Sequence, residues 1–488
     1  MNAPVDLRKR SAAPLVPPPP PLFPAHWPGP PPPASRTVLA AAAVAGAGAA
    51  VAVPQGPPGL GWPLVALLLA AVTLAVQRRV PHPVDAAWGT LAVALAAVAA
   101  LRDAEWLVTL CLLGACAAGS LAVAGRSFRG IVTGALALPV AALRGLPWVA
   151  RGLVGVRTRG TLRLAVAAVV GLGLVAVFGA LLTSADAAFA GLVDGLVPAW
   201  DGGGFGRAVW LFALGAAGTV GACFLLAAPP EAPAPRPVPP SRLRPVEWAL
   251  PVGLLVALFA AFVAVQFRTL FGSDDHVLAT TGLTYAEYAR SGFWQLLAVT
   301  VLALGVIVAG ARLAPAGAGR RGLLSALAGL TLVIVASALS RLWLYQEAYG
   351  FTVLRLLVLV CELWLGLGFV LVLGSVLLRR PRRPLRAMAV SGALALLALA
   401  ALDPERFVAG QNVARFEATG RIDTAYLADL SADAVPALAR LPEPYRSCAL
   451  EPIAARAQQG GWREANVSRA VARGLLADVT PSSRGCGY

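Results

Sequence analysis

The sequence predicts an all-α, polytopic membrane protein with about eleven transmembrane helices and a small extracytoplasmic helical domain at its C-terminus. Three observations predict it. Hydrophobic residues fill 58% of the 488 positions and charged residues 13%, against about half and about a quarter in soluble domains. Apolar runs of bilayer-spanning length, about 17–25 residues, recur along the chain. Basic residues crowd the segments between alternate runs.

Residues 1–36 read as a Pro-rich cytoplasmic tail, with twelve prolines between positions 14 and 33. Such a stretch stays extended and solvated, either as a disordered lead-in or as a docking strip for a partner's aromatic groove. No cleavable signal pattern precedes the first apolar run. Apolar runs then follow near 37–54, 60–77, 84–101 and 105–124, the four helices of an N-terminal group, 37–125. Seven more lie within 161–401, near 161–182, 206–228, 247–267, 293–312, 322–340, 352–378 and 385–401, with a Pro-rich linker at 229–246.

Counting charge on alternate sides orients the chain. The side with the N-terminal tail, residues 126–160 and the linker carries 24 basic and 4 acidic residues; the opposite loops before the tail carry 5 and 9. That imbalance places the N-terminus in the cytoplasm and, with eleven spans, the C-terminus outside. Of the 40 basic residues 39 are arginines, clustered between apolar runs. The expected partners are therefore the bilayer and its anionic cytoplasmic headgroups, and nucleic acid is excluded. Residues 126–160 hold one apolar run, too short to span and broken by Pro139. They read as one or two amphipathic helices in the cytoplasmic headgroup layer, or as a short re-entrant pair.

From residue 402 the chain carries ten arginines and ten acidic residues. Asp403 before Pro404, Asp423 and Ser431 are helix-start signals, and WREANVSRAVARGLLADV is amphipathic at helical spacing. This external domain, 402–488, could engage an envelope protein partner. Four cysteines lie inside spans, whereas Cys448 and Cys486 lie in the tail, where an oxidising exterior permits a disulfide.

Chemistry-bearing residues are few. Ser340 to Trp364 emerges at the outer surface, turns at Gly350 and descends again. Arg341, Tyr345 and Glu347 fall at the interface, and Arg355 one turn inside can snorkel outward. Glu362 lies about 16 Å down the helix from Phe351, near the midplane. A charge there costs about 3 kcal/mol, which eleven leucines in the same helix outweigh, so its presence does not prove function. Glu362 must be protonated, paired or facing water. Two readings stay open: an outward-facing polar pocket lined by Arg341, Tyr345, Glu347, Arg355 and Glu362, or an ion-pair network that locks the hairpin.

A second outer stretch holds Tyr285, Glu287, Tyr288 and Arg290, and reads as an interfacial helix. A third holds Ser184 and Asp186, either a capped re-entry into the interface or the outer carboxylate of a lipid-linked transferase. The run Ser273-Asp274-Asp275-His276 lacks the spacing of a metal site. No Walker A, HExxH, GxSxG or CxxC motif occurs, so neither cofactor nor metal is expected.

Four of these stretches carry a resemblance: TSADAAFA at 183–190, TYAEYARSGF at 284–293, RLWLYQEAYGFTVLR at 341–355 and RIDTAYLADLSADAVPAL at 421–438. In that order they resemble the bacterial family of domain of unknown function 4173, with its sister 4153. The resemblance implies an envelope membrane protein and carries over no catalytic residue. The Arg-rich, Ala-rich usage is similar to that of high-GC actinobacteria. Three function classes follow. The favoured one is a non-enzymatic sensing, binding or scaffold protein. The alternatives are a transporter using Glu362 as a protonatable switch, and a membrane-embedded transferase using Asp186 or Glu347.

Overall fold

The computed structural model describes residues 30, 32–77, 80–124, 131–156, four positions between 171 and 182, 202–229, 244–270, 293–315, 317–377, 384–457 and 460–477. Among the described residues the chain is helical throughout, without strands. The helices are α1 (Arg36–Ala52), α2 (Gly61–Gln77), α3 (Pro83–Leu101), α4 (Glu105–Ala124), α5 (Ile131–Ala135), α6 (Ala137–Val156), α7 (Gly202–Ala227), α8 (Pro245–Leu270), α9 (Phe293–Leu313), α10 (Ala318–Tyr349), α11 (Val353–Leu377) and α12 (Pro384–Leu402). Beyond them α13 (Pro404–Thr419), α14 (Thr424–Ala428), α15 (Val435–Leu438), α16 (Tyr445–Arg456) and α17 (Val467–Leu476) build a cap.

Eight helices, α3, α4 and α7–α12, are long and apolar enough to cross a membrane, and α1 and α2 are shorter apolar helices. These ten fall where the hydropathy runs predict spans; the run at 161–182 lies outside the described residues apart from four isolated helical positions. The chain is thus a polytopic α-helical membrane protein. Boundaries differ by a few residues at several of these helices, most at the end of α10. The run ending at 340 continues as helix to Tyr349, because Gly350 alone stops it, at φ 83°, a left-handed value glycine adopts freely.

The spanning helices pack as small-residue crossings and aliphatic layers. Antiparallel α1 and α7 touch backbone to backbone: a Cβ on Gly46 would stand 2.7 Å from the Phe212 carbonyl oxygen, and one on Gly215 2.7 Å from that of Ala45. Close approach of this kind holds membrane helices together through dispersion. Gly215→Leu is therefore expected to lower the melting temperature in detergent, at a cost of about 2 kcal/mol from overpacking. Gly218→Leu, with open space at its Cβ, should leave it unchanged. A second layer joins α8, α9, α10 and α11 around Ile307, Leu327, Ile334 and Phe369.

Two ends of the bundle differ. At one, α6 crosses the ends of α4 and α7: the Ser120 hydroxyl donates to the Gly134 carbonyl and accepts from the Leu138 amide, closing the α5–α6 break. The Trp148 indole there donates to the Pro32 carbonyl at 3.0 Å. At the other end, the turns after α1, α3 and α10 meet the cap. The cap has its own core of Leu427, Val435, Leu438, Leu450 and Ile453.

Candidate functional site

The residues predicted to line a pocket are distributed over the half of the α10–α11 hairpin nearer its turn. Arg355 donates to the Gly350 carbonyl and lies 4.3 Å over the Tyr345 ring, so these two do meet. Arg341 instead donates to Gln266 of α8 at 2.7 Å, an oxygen that Ser337 also reaches. Glu347 accepts from the Trp343 indole at 2.7 Å. Glu362 stands apart. It is 0% exposed, and among the described residues neither carboxylate oxygen has a hydrogen-bond partner. Its face of α11 continues one turn on in Gly366, which approaches Val335 of α10, so Glu362 lies on the seam between the two helices. Among the described residues no ion pair joins it to either arginine. Ser184, Asp186, Tyr285, Glu287, Tyr288, Arg290 and Cys486 lie outside the described residues. Cys448 is buried in the cap.

The densest polar constellation was not singled out in the sequence. It lies where the cap meets the three-residue turn between α3 and α4. Asp433, held in a 3-10 turn that Ser431 caps, accepts the backbone N–H of Asp103 at 3.0 Å and that of Ala104 at 2.9 Å. In return the Asp103 carboxylate accepts the Ala432 N–H at 3.1 Å and pairs with Arg469 of α17. Each segment thus offers a carboxylate to the other's amides, satisfying donors that no helix could pair. Beside them Glu405 accepts from the Trp106 indole at 3.1 Å and from the Ser431 N–H at 2.6 Å. Asn466 donates to the Ala99 and Arg102 carbonyls at 3.0 and 2.8 Å, closing the C-terminus of α3.

Asp403 corrects one sequence expectation. It precedes Pro404 as an N-cap should, but its backbone is left-handed, at φ 59°, and its side chain makes no capping bond. The carboxylate turns instead to Arg102 at 2.6 Å, and its other oxygen has no partner among the described residues. The other two helix-start signals behave as expected: Asp423 accepts from the Tyr426 N–H at 3.0 Å, and Ser431 from Asp433.

A second contact fixes the cap to the α10–α11 turn. Asn412 of α13 accepts from the Phe351 N–H at 3.3 Å and donates to its carbonyl at 2.8 Å, and the Tyr426 hydroxyl accepts from the Val353 N–H at 2.8 Å. Two of the stretches that carry the family resemblance therefore touch each other. Sequence reading could have found the latch in one signal: Arg102 and Asp103 are two charges in a turn with no room for either to cap a helix alone.

Burial sets the electrostatics of this seam. It pushes Asp433 and Glu405 up from the ordinary carboxylate range, and their hydrogen bonds pull back against it. Burial, with the Asp433 charge adding to it, raises Asp403 from 3.8 to about 6, while Arg102 opposes the rise. The folded state therefore binds more protons than the unfolded chain between those values, and stability falls as pH rises through that window. Lowering the pH from 7 to 5 is expected to make the cap more resistant to protease, by about 1 kcal/mol after screening. Asp403→Asn should flatten the dependence.

The arrangement can bind and brace. Among the described residues no cluster of three or more His, Cys, Asp or Glu is placed to hold a metal. Comparison with curated proteins and with solved structures finds no match. The family profile described as domain of unknown function (DUF4153) matches residues 89–441, from within α3 to the middle of the cap. That span covers the bundle from within α3 onward and both Asp103 and Asp433, and of the two sister families resembled it selects the second: the chain belongs to the DUF4153 family.

Proposed function

We propose that the chain is a non-enzymatic envelope protein of the bacterial plasma membrane that senses, binds or scaffolds through its cap. The observation that carries the reading is the reciprocal latch of Asp103 and Asp433, which couples the cap to the turn between two membrane helices. A partner seated on the cap would press on α3, α4 and the α10–α11 turn together. In this reading the N-terminus is cytoplasmic, α5 and α6 rest on anionic headgroups, and residues 402–488 face the exterior.

The exterior placement has its own prediction. Non-reducing peptide mapping of protein from its native membrane should recover Cys448 joined to Cys486, and a free thiol at Cys448 would count against an oxidising exterior. The function itself is tested by cross-linking in intact membranes. Wild type should capture an envelope protein through the cap, and Asp433→Ala should lose it; capture unaffected by the latch would remove the coupling.

A second reading has one observation in its favour. A fully buried intramembrane carboxylate without a partner, as Glu362 is, is the feature a proton-coupled transporter needs. Proton flux in proteoliposomes that Glu362→Gln abolishes would replace the scaffold reading by this one.

A further inference from the structure

The last helix of the cap carries two apolar faces. Ala472 and Leu476 turn into the cap's core. Val467, Val471 and Leu475 do not, and are 54%, 50% and 41% exposed. Spaced four apart, they draw a stripe about 12 Å long along α17.

The position of α17 says what covers that stripe. The Leu60 N–H, just before α2, donates to the Ala465 carbonyl at 2.9 Å. The Ser468 hydroxyl donates to the carbonyl of Leu101, the last residue of α3, at 3.0 Å. The first turn of α17 therefore lies level with the ends of two apolar membrane helices. Leu60 and Leu101 are themselves 39% and 49% exposed, so the stripe is close to surface that faces lipid. Trp462, 53% exposed, stands at the start of the segment with the Arg463 guanidinium 5.7 Å from its ring. Arg473 is exposed on another face of the helix. Aliphatic residues flanked by an exposed Trp and arginines are the composition of a helix lying in a membrane interface.

We propose that α17 lies in the headgroup layer of the leaflet on the cap's side, with Val467, Val471 and Leu475 entering the acyl boundary and Trp462 at the level of the glycerol backbone. The cap is then held twice, by the carboxylate latch to the helix turns and by this stripe to phospholipid. The inference does not depend on what the cap binds or on which side of the membrane it faces.

Spin labelling of the full chain in vesicles of phosphatidylethanolamine and phosphatidylglycerol tests it. Cys116 and Cys361, the exposed free thiols among the described residues, are changed to Ala, and a nitroxide is placed at 471, at 475 or, as the control, at 473. The labels at 471 and 475 should collide several-fold more with oxygen, relative to a water-soluble nickel chelate, than the label at 473. Equal ratios at all three would overturn the proposal. So would labels at 471 and 475 shielded from both reagents, since a protein surface would then cover the stripe. All three positions are exposed, so the labels displace no core residue, and the two stripe positions report independently.

Discussion

Asp433→Ala is expected to free the cap from the α3–α4 turn. The change removes the acceptor of the Asp103 and Ala104 amides, and a buried donor left unsatisfied costs about 1–3 kcal/mol. With two amides stranded, the loss should be about 3 kcal/mol. Asp433→Asn keeps one oxygen that can turn to Ala104 and should lose less. Arg469→Ala attacks the other half, because it leaves the Asp103 carboxylate, at 14% side-chain exposure, without its cation. The two substitutions meet at Asp103, so their costs should not add, and a double-mutant cycle should return a coupling of at least about 0.5 kcal/mol. Hydrogen exchange on the protein in lipid nanodiscs reads the result locally. Faster exchange at 102–106 and 431–436 together is expected in either mutant. Exchange at 102–106 that stays at the wild-type rate in Asp433→Ala would mean the latch carries no stability.

The second large effect is at Glu362, and its sign is unusual for a buried position. A carboxyl group at 0% exposure, with both oxygens unpartnered among the described residues, bears an uncompensated desolvation cost between α10 and α11. Replacing it by Leu removes that burden at similar volume and should raise thermal stability by about 1–3 kcal/mol. Glu362→Gln should be near neutral, and Glu362→Lys should block folding or insertion. A hydrophobic carbodiimide, which attacks protonated carboxyl groups, should label Glu362 in wild-type membranes. If Glu362→Leu proves strongly destabilising, the carboxyl has a partner that compensates its burial, and the structural ion-pair network would be restored.

Much of this architecture is readable from side-chain chemistry. Hydropathy places ten helices because a bilayer leaves a chain no other way to satisfy its backbone, and Gly350, Asp423 and Ser431 act as local punctuation without reference to anything distant. The candidate site is less legible, for a physical reason. Arg341, Tyr345, Glu347, Arg355 and Glu362 are close in sequence, yet helical rotation and helix α8 separate them: Arg341 finds Gln266, which no local pattern links to it. The latch joins residues more than 300 positions apart, Asp103 to Asp433 and Asn466 to Ala99. In one sequence such residues look like surface charges. Asp403 shows the same limit in miniature, since a distant arginine outcompetes the helix it was expected to cap.

The separation across that latch also imposes an order of events. The Asp103 amide waits for a residue 330 positions later in the chain, which at about 5–20 residues per second is on the order of half a minute of synthesis. During that interval α3 and α4 can already be inserted, their connecting turn hydrated at the membrane surface. Closure comes only once Asp433 has been made. A truncated chain would therefore leave the turn open as a standing mark of incompleteness, legible to any protease that patrols that face of the membrane.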